Sequence, residues 1–415
     1  MDTEQNEQGV PDQLGTEVVN TTAAPQPQAI TNMDVTPPAQ TPSEPTPPAT
    51  PDVSAPPTAP KKSKLWLLIL IVIVLAAGAG GVLWWHGHKS TPKPVTATAT
   101  TPSLRIGLSL DTLKELRWAK DRDYMTERAK AKGASVTTLV AESDDQTQIS
   151  QIENLIAQKV NVLIIVAHDA KAVAPTIAEA HAAGIKVIAY DRLILNSDVD
   201  SYVSFDSTTV GQDEAENVMN AVPKTVTVPN VMLIGGSPTD NNALLVHNGM
   251  MGVLQPLVTA GKAKIVFDQY SANWSPDVAY NNVKQYLASG GKVDAIVAAN
   301  DGTASGVVRA LQEKALAGKI PVSGQDAELP AVQRIVAGTQ TVTVYKPIQL
   351  LANKVIDIAL VLGKGQTPPT TGTINNGQKN VPSFLLKPTA VTASNIQSTV
   401  IKDGFLNSKD VYGSH

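Results

Sequence analysis

The chain of 415 residues contains no cysteine. Disulfides, thiolate nucleophiles, cysteine-ligated zinc and a lipid-bearing cysteine are thereby excluded. Aromatic residues are scarce, at 4% of the chain. Charge is nearly balanced, with a net value of −4, so no strong field invites nucleic acid. Catalytic and nucleotide signatures are missing as well. There is no G-x-S-x-G elbow, no H-E-x-x-H, no Walker A loop and no G-x-G-x-x-G after a strand. The histidines His168, His181, His247 and His415 are scattered and read as structural or exposed groups. A run at 196–200 starts like a calcium loop but lacks the glycine and the closing glutamate, so it is set aside. Asp191 and Asp326 form a conceivable glycosidase pair, also set aside because no substrate-cleft signature accompanies them. Neither an enzyme nor a cofactor or metal site is expected.

What is present changes character along the chain. Residues 1–64 are rich in proline and threonine and hold no Lys or Arg before Lys61. Such a segment cannot bury enough apolar surface to offset chain entropy, and reads as a disordered tail. Residues 65–85 carry no charge. At 1.5 Å per residue they reach about 31 Å, the depth of one bilayer core. Lys61, Lys62 and Lys64 precede this run and Trp84 and Trp85 close it, which predicts a single-pass transmembrane helix with the remainder outside the cytoplasm. A cleaved signal peptide is the rival reading, with Ala77 to Ala79 as its weak cleavage site. Residues 86–103, rich in Thr and Pro, read as a tether.

From Leu104 onward, strands alternate with helices. Strands are predicted at 105–110, 135–141, 160–167, 187–190 and 201–205, and then at 231–234, 265–270, 295–299, 320–323 and 340–345. Helices are predicted at 113–132, 145–158, 170–183, 207–219, 243–258, 276–288, 303–317 and 347–362. This alternation predicts an α/β chain with parallel sheets, in two doubly wound Rossmann-like lobes. Several predicted strands end in planar or bidentate polar groups: Asp111, Asp191-Arg192, Asp206, the stretch 235–242, Asn300-Asp301, Gln325-Asp326 and Lys346. Strand ends of open α/β sheets face the ligand crevice, and these groups match the donors and acceptors of a polyol. A single such pair could equally be a surface ion pair. Outside the apolar run there are two tryptophans, Trp118 and Trp274. A flat indole stacks on the C–H face of a sugar ring, although ordinary packing is the alternative for either one.

The soluble part resembles the sugar-binding proteins of ABC transporters with the type I periplasmic-binding fold. The stretches that carry the resemblance are LRWAKDRD at 116–123, QIEN at 151–154, AYDR at 189–192, SFD at 204–206, GGSP at 235–238 and DNNA at 240–243. They continue with Asn300-Asp301, SGQDA at 323–327, AGTQ at 337–340, VYKP at 344–347 and VIKDGF at 400–405. The resemblance runs from about Leu104 to Phe405 and omits the tail and the apolar run. It implies two lobes closing on one xylose-like monosaccharide, as a monomer that delivers the sugar to an ABC permease. It implies ligand contacts from Arg117, Trp118, Asp191, Arg192, Asn242, Trp274, Asn300, Asp326 and Lys346, with Asn241 and Asn242 not distinguished. It implies hinges near 205–207, 341–344 and 368–373, an N-terminal lobe of 104–206 with 342–370, and a C-terminal lobe of 207–341 with 371–407. Relatives are delivered by a cleaved signal or a lipidated cysteine, so the apolar run here points to a tethered receptor. Ser207 stands where relatives often have asparagine. A membrane-tethered sugar sensor is the alternative function. A sugar-responsive repressor shares the fold but needs a basic helix-turn-helix that is absent. Arg192→Ala is expected to abolish binding and leave the fold intact.

Overall fold

The computed structural model describes residues 103–413. The predicted tail and apolar run, and all but the last residue of the tether, lie outside these residues. Among the described residues no helix is long and apolar enough to cross a membrane.

The first lobe is built on a seven-stranded sheet. Its strands are β1 (Arg105–Leu110), β2 (Ser135–Val140), β3 (Val162–Ile165), β4 (Lys186–Tyr190), β5 (Ser201–Phe205), β10 (Gly372–Asn375) and β11 (Asn380–Leu386). Their order is β10-β11-β5-β4-β3-β1-β2, and only the β10–β11 pair is antiparallel. Strands β3 and β5 are buried throughout, and β4 is buried from Val187 onward. Such strands read as apolar runs because helices cover both faces of the sheet. Helices Leu116–Ala131 and Ile348–Leu362 share one core with β1 and β4, through Ile106, Met125, Tyr190 and Val355.

The second lobe holds a parallel sheet of β6 (Asn230–Gly235), β7 (Lys264–Tyr270) and β8 (Ala295–Ala298), in the order β7-β6-β8. Beside it, β9 (Thr343–Tyr345) pairs antiparallel with β12 (Thr389–Val391). The strand predicted at 320–323 reduces to one bridge, Ile296 to Val322. There the Ser323 hydroxyl accepts from Ala298 N–H at 2.9 Å and donates to Ala298 O at 3.0 Å, so a side chain makes bonds that a strand's backbone would make.

In each sheet the order reverses beside the first strand of the series, between β1 and β3 and between β6 and β8. The crevice outside the carboxyl ends of such strands is where open α/β sheets bind ligands. Three crossings join the lobes. The chain leaves β5 at Phe205 and enters helix Ser207–Ala221 of the second lobe. It returns between Tyr345 and Ile348, and crosses again between Leu386 and Thr389. The second and third crossings therefore fall downstream of the predicted 341–344 and 368–373. Residues 372–386, predicted in the C-terminal lobe, are strands of the first sheet because 383–386 pair with β5. Residues 343–345, predicted in the N-terminal lobe, pair with β12 in the second.

Candidate functional site

Strand β4 is apolar up to Tyr190 and then turns sharply. Arg192 N–H donates back to Tyr190 O at 2.7 Å, and Asp191 takes φ +60. A left-handed backbone is costly for a residue with a Cβ. Here the Asp191 carbonyl accepts from Tyr202 Oη at 3.0 Å, Ser204 Oγ at 2.6 Å and Asn242 Nδ2 at 3.0 Å, which fixes it. The turn sends the Asp191 and Arg192 side chains into the space between the lobes. Residues Asn273, Trp274, Asp326 and Ala327 on the second lobe are left-handed too.

The nine residues singled out in the sequence all line one cleft, with about 340 Å³ of non-atom space including its mouth. Arg117, near the start of helix Leu116–Ala131, places Nη2 2.8 Å from Asp191 Oδ2 and Nη1 3.5 Å from Asp326 Oδ1. Its Nε meets Asp121 at 3.2 Å, and Tyr190 Oη donates to the other oxygen of Asp121. Arg192 Nη1 donates to Asp111 at 2.7 Å and to Ala167 O at 3.0 Å, while its Nε lies 2.8 Å from Asp240 Oδ2. Lys346 Nζ lies 2.8 Å from Asp326 Oδ1. Asn242, near the start of helix Asn241–Thr259, donates from Nδ2 to Asp191 Oδ1 at 3.0 Å. Asn242 rather than Asn241 is thus the residue at the cleft. Asn300 caps helix Asp301–Glu313 by accepting from Thr303 N–H at 2.8 Å.

Both tryptophans have their polar edge held by an acid. Trp118 Nε1 donates to Glu115 at 3.0 Å, and Trp274 Nε1 to Asp240 at 3.1 Å. Fixing the edges fixes the ring planes. The guanidinium carbons of Arg117 and Arg192 lie 4.3 and 5.3 Å from the Trp118 ring centroid.

Three further residues line the cleft: Glu115, Asp240 and Gln325. Asp240 and Gln325 stand within polar strand ends that the sequence marked, and Gln325 donates to Ala299 O at 2.5 Å. Glu115 carried no signal beyond its place three residues before Trp118. Asp206, also a marked strand end, is taken up otherwise: its carboxylate accepts from Thr208 and Thr209 N–H and caps helix Ser207–Ala221.

Acids outnumber cations at the site: Asp111, Asp121, Asp191, Asp240 and Asp326 face Arg117, Arg192 and Lys346, so every cation has a carboxylate partner. Burial pushes the Asp191 carboxyl up, but Arg117, Lys346 and Arg192 outweigh it and hold it below the usual carboxylate range. For Asp240 burial prevails over Arg192, and its carboxyl is raised. Glu115 is raised for the same reason, burial against Arg192. Asn242 Oδ1 and Asp111 Oδ1 are buried without a hydrogen-bond partner. A buried acceptor left unpaired costs about 1–3 kcal/mol, so the Asn242 oxygen at the cleft is suited to a ligand donor. The arrangement offers fixed donors, fixed acceptors and two indoles around a small volume.

A periplasmic binding protein domain is matched over residues 106–367. The D-xylose-binding periplasmic protein of Haemophilus influenzae is 47% identical over 318 residues, covering 76% of this chain and 95% of that one. The D-xylose-binding periplasmic protein of Escherichia coli is 47% identical over 308 residues, covering 74% and 92%. Among solved structures, an ABC transporter solute-binding protein from Clostridium phytofermentans with bound β-D-glucose superposes with a TM-score of 0.69 at 32% identity, covering 74% of this chain and 99% of that one. The chain belongs to the periplasmic binding protein family, alongside these xylose-binding and solute-binding proteins.

Proposed function

We propose that this chain binds one neutral monosaccharide, xylose or a similar aldose, by closing its lobes over it, and presents the closed form to an ABC permease. One observation carries the neutral-ligand reading. Each cation at the cleft is already neutralised by protein carboxylates: Arg117 by Asp121, Asp191 and Asp326, Arg192 by Asp111 and Asp240, and Lys346 by Asp326. An anionic ligand would find no free positive charge, whereas a polyol needs only the remaining donor and acceptor positions. The nine cleft residues serve as its contacts, with Trp118 and Trp274 against its C–H faces. The names of the relatives, which are binding proteins rather than enzymes, support the sugar and its xylose-like identity. A sugar with one hydroxyl inverted leaves a buried partner unpaired and is disfavoured.

The test is a titration of the purified protein with xylose, glucose, ribose and a sugar acid, following tryptophan fluorescence. A saturable response to a neutral aldose near micromolar concentration, about −8 kcal/mol, is expected, with none to the acid. No saturable response to any neutral sugar would sink the proposal. Residues 65–85 are the proposed anchor that keeps this domain outside the cytoplasm. Membrane fractionation tests the anchor: salt- and carbonate-resistant retention supports it, and release as a soluble shortened chain refutes it.

A further inference from the structure

Trp274 sits in a short left-handed turn that the first lobe grips at its rim. Asn273 and Trp274 take φ +52 and +54, between Ser271 and Ser275. Inside the cleft, Asp240 accepts from the Trp274 indole while its same oxygen meets Arg192 of the first lobe. At the rim, His168, which follows β3 of the first lobe, places Nε2 3.1 Å from Asn273 Oδ1. The other ring nitrogen, Nδ1, lies 2.8 Å from Asp145 Oδ1, at the head of helix Asp145–Ala157. His168 N–H donates to Gln148 Oε1 at 2.9 Å, which ties the histidine's backbone to the same helix. His168 does not line the cleft; it reaches only the neighbour of a residue that does.

We propose that His168 is a positioning residue for the ligand, reaching across the closed cleft to hold Asn273 and thereby the turn that presents Trp274. The proposal rests on the lobe-closure reading above. Two consecutive left-handed residues are unfavourable and persist only where neighbours hold them. Asp240 holds the indole, and His168 holds the preceding amide. The bond to Asn273 joins the two lobes, so it forms only when they meet.

The grip depends on protonation. Both ring nitrogens face oxygen acceptors, and only the imidazolium donates from both. The charged groups around the ring are Asp145, Asp144 and Asp111, all acids of the first lobe, and the second lobe contributes the neutral Asn273. Burial pulls His168 down, but the bonds to Asp145 and Asn273 and the nearby acids carry it above the ordinary histidine value. The acids of the first lobe face the ring whether the cleft is open or closed; closure adds the Asn273 oxygen, an acceptor that the imidazolium can serve without giving up Asp145, and on that geometry affinity weakens as pH rises through the histidine's titration.

The experiment measures xylose affinity by calorimetry from pH 5.5 to 8.5 for the wild type, His168→Gln and His168→Ala, with thermal melts beside each. The wild type should weaken by about two- to tenfold across this range, the worth of one hydrogen bond. His168→Gln keeps a donor toward Asn273 but cannot titrate, so its profile should be flatter than that of the wild type. His168→Ala should bind more weakly at every pH, with a smaller tryptophan fluorescence change at saturation. A His168→Gln profile that retraces the wild type, or a His168→Ala affinity equal to it, overturns the proposal. Failure of the closure reading looks different: the wild type itself then shows no binding at any pH.

Discussion

Arg192 is bound from both lobes, by Asp111 on its own side and Asp240 on the other. The expectation that Arg192→Ala would leave the fold intact therefore needs revision. All three side chains are at most 5% exposed. Removing the cation leaves two buried carboxylates facing a void, and breaking a buried pair costs about 3–5 kcal/mol. Arg192→Ala should lower both sugar affinity and the thermal midpoint, as calorimetry and a melting curve would record; an unchanged midpoint would refute the ion-pair argument. Glu214 is the opposite case. It is fully buried, and both carboxyl oxygens lack a hydrogen-bond partner. Burial raises it well above its ordinary value, and likewise lifts Asp301 to about 8 and Glu328 to about 7. Between pH 5 and 8 these acids hold protons in the folded state that the unfolded chain has released. Stability from them is full below the unfolded value near 4 and is lost as pH rises toward the folded values. The thermal midpoint should fall from pH 5 to pH 8, with a shallower fall in Glu214→Gln. Melts that are flat or that rise with pH would contradict this.

At the scale of elements, the second lobe packs its helices through glycine. A Cβ on Gly211 of helix Ser207–Ala221 would stand 1.9 Å from Val246 O, and one on Gly249 of helix Asn241–Thr259 would stand 2.1 Å from Thr208 O. These helix backbones are in direct contact, and no side chain can yield to relieve a clash. Gly211→Ala should cost about 1–3 kcal/mol by overpacking, and push apart the two helices whose ends carry Asp206 and Asn242. A denaturant curve matching the wild type would show that the helices can slide. Most of the elements were legible because a continuous apolar run bounded by Gly or a polar group reads plainly as a buried strand. Strand β11 was not. Pro382 sits inside it, and proline argues against a strand. The structure accommodates it because pairing with β5 begins only at Ser383, just past the proline. Helix Leu329–Val336 was missed although Pro330 stands in its first turn: it is only eight residues long, and no side chain caps it.

For the molecule as a whole, the cleft is shut by bonds between lobes. They run from Arg192 to Asp240, from Asn242 to Asp191, from His168 to Asn273 and from Ala170 N–H to Thr239 O at 3.0 Å. A sugar that binds the folded, closed form and not the unfolded chain stabilises the whole. At a hundred times its dissociation constant the gain is about 2.7 kcal/mol. The melting midpoint should climb steadily with the logarithm of xylose concentration, and scattering should report a smaller radius of gyration at saturation. A midpoint that does not respond, in a protein that binds by calorimetry, would mean that the sugar does not favour the closed fold.

The order of residues by itself determined the α/β alternation, the two series of strands, most of the polar strand ends and both tryptophans outside the apolar run, because each is a local pattern with a local cause; the nine as a set, Arg117 among them, came from the resemblance to sugar-binding proteins. It even marked Asp191-Arg192, since an apolar run that stops at an acid and an arginine is visible without any partner. What it left open depends on contacts between segments distant in the chain. Asn242 was separated from Asn241 only by its bonds to Asp191, fifty-one positions away. The lobe that residues 372–386 join was settled by pairing with β5, which a run broken by proline does not announce. That the cleft's cations are neutralised from both lobes is a property of no single stretch. It arises where two sheets turn their carboxyl ends toward each other, and which carboxylate meets which cation there depends on distances that only the folded chain sets.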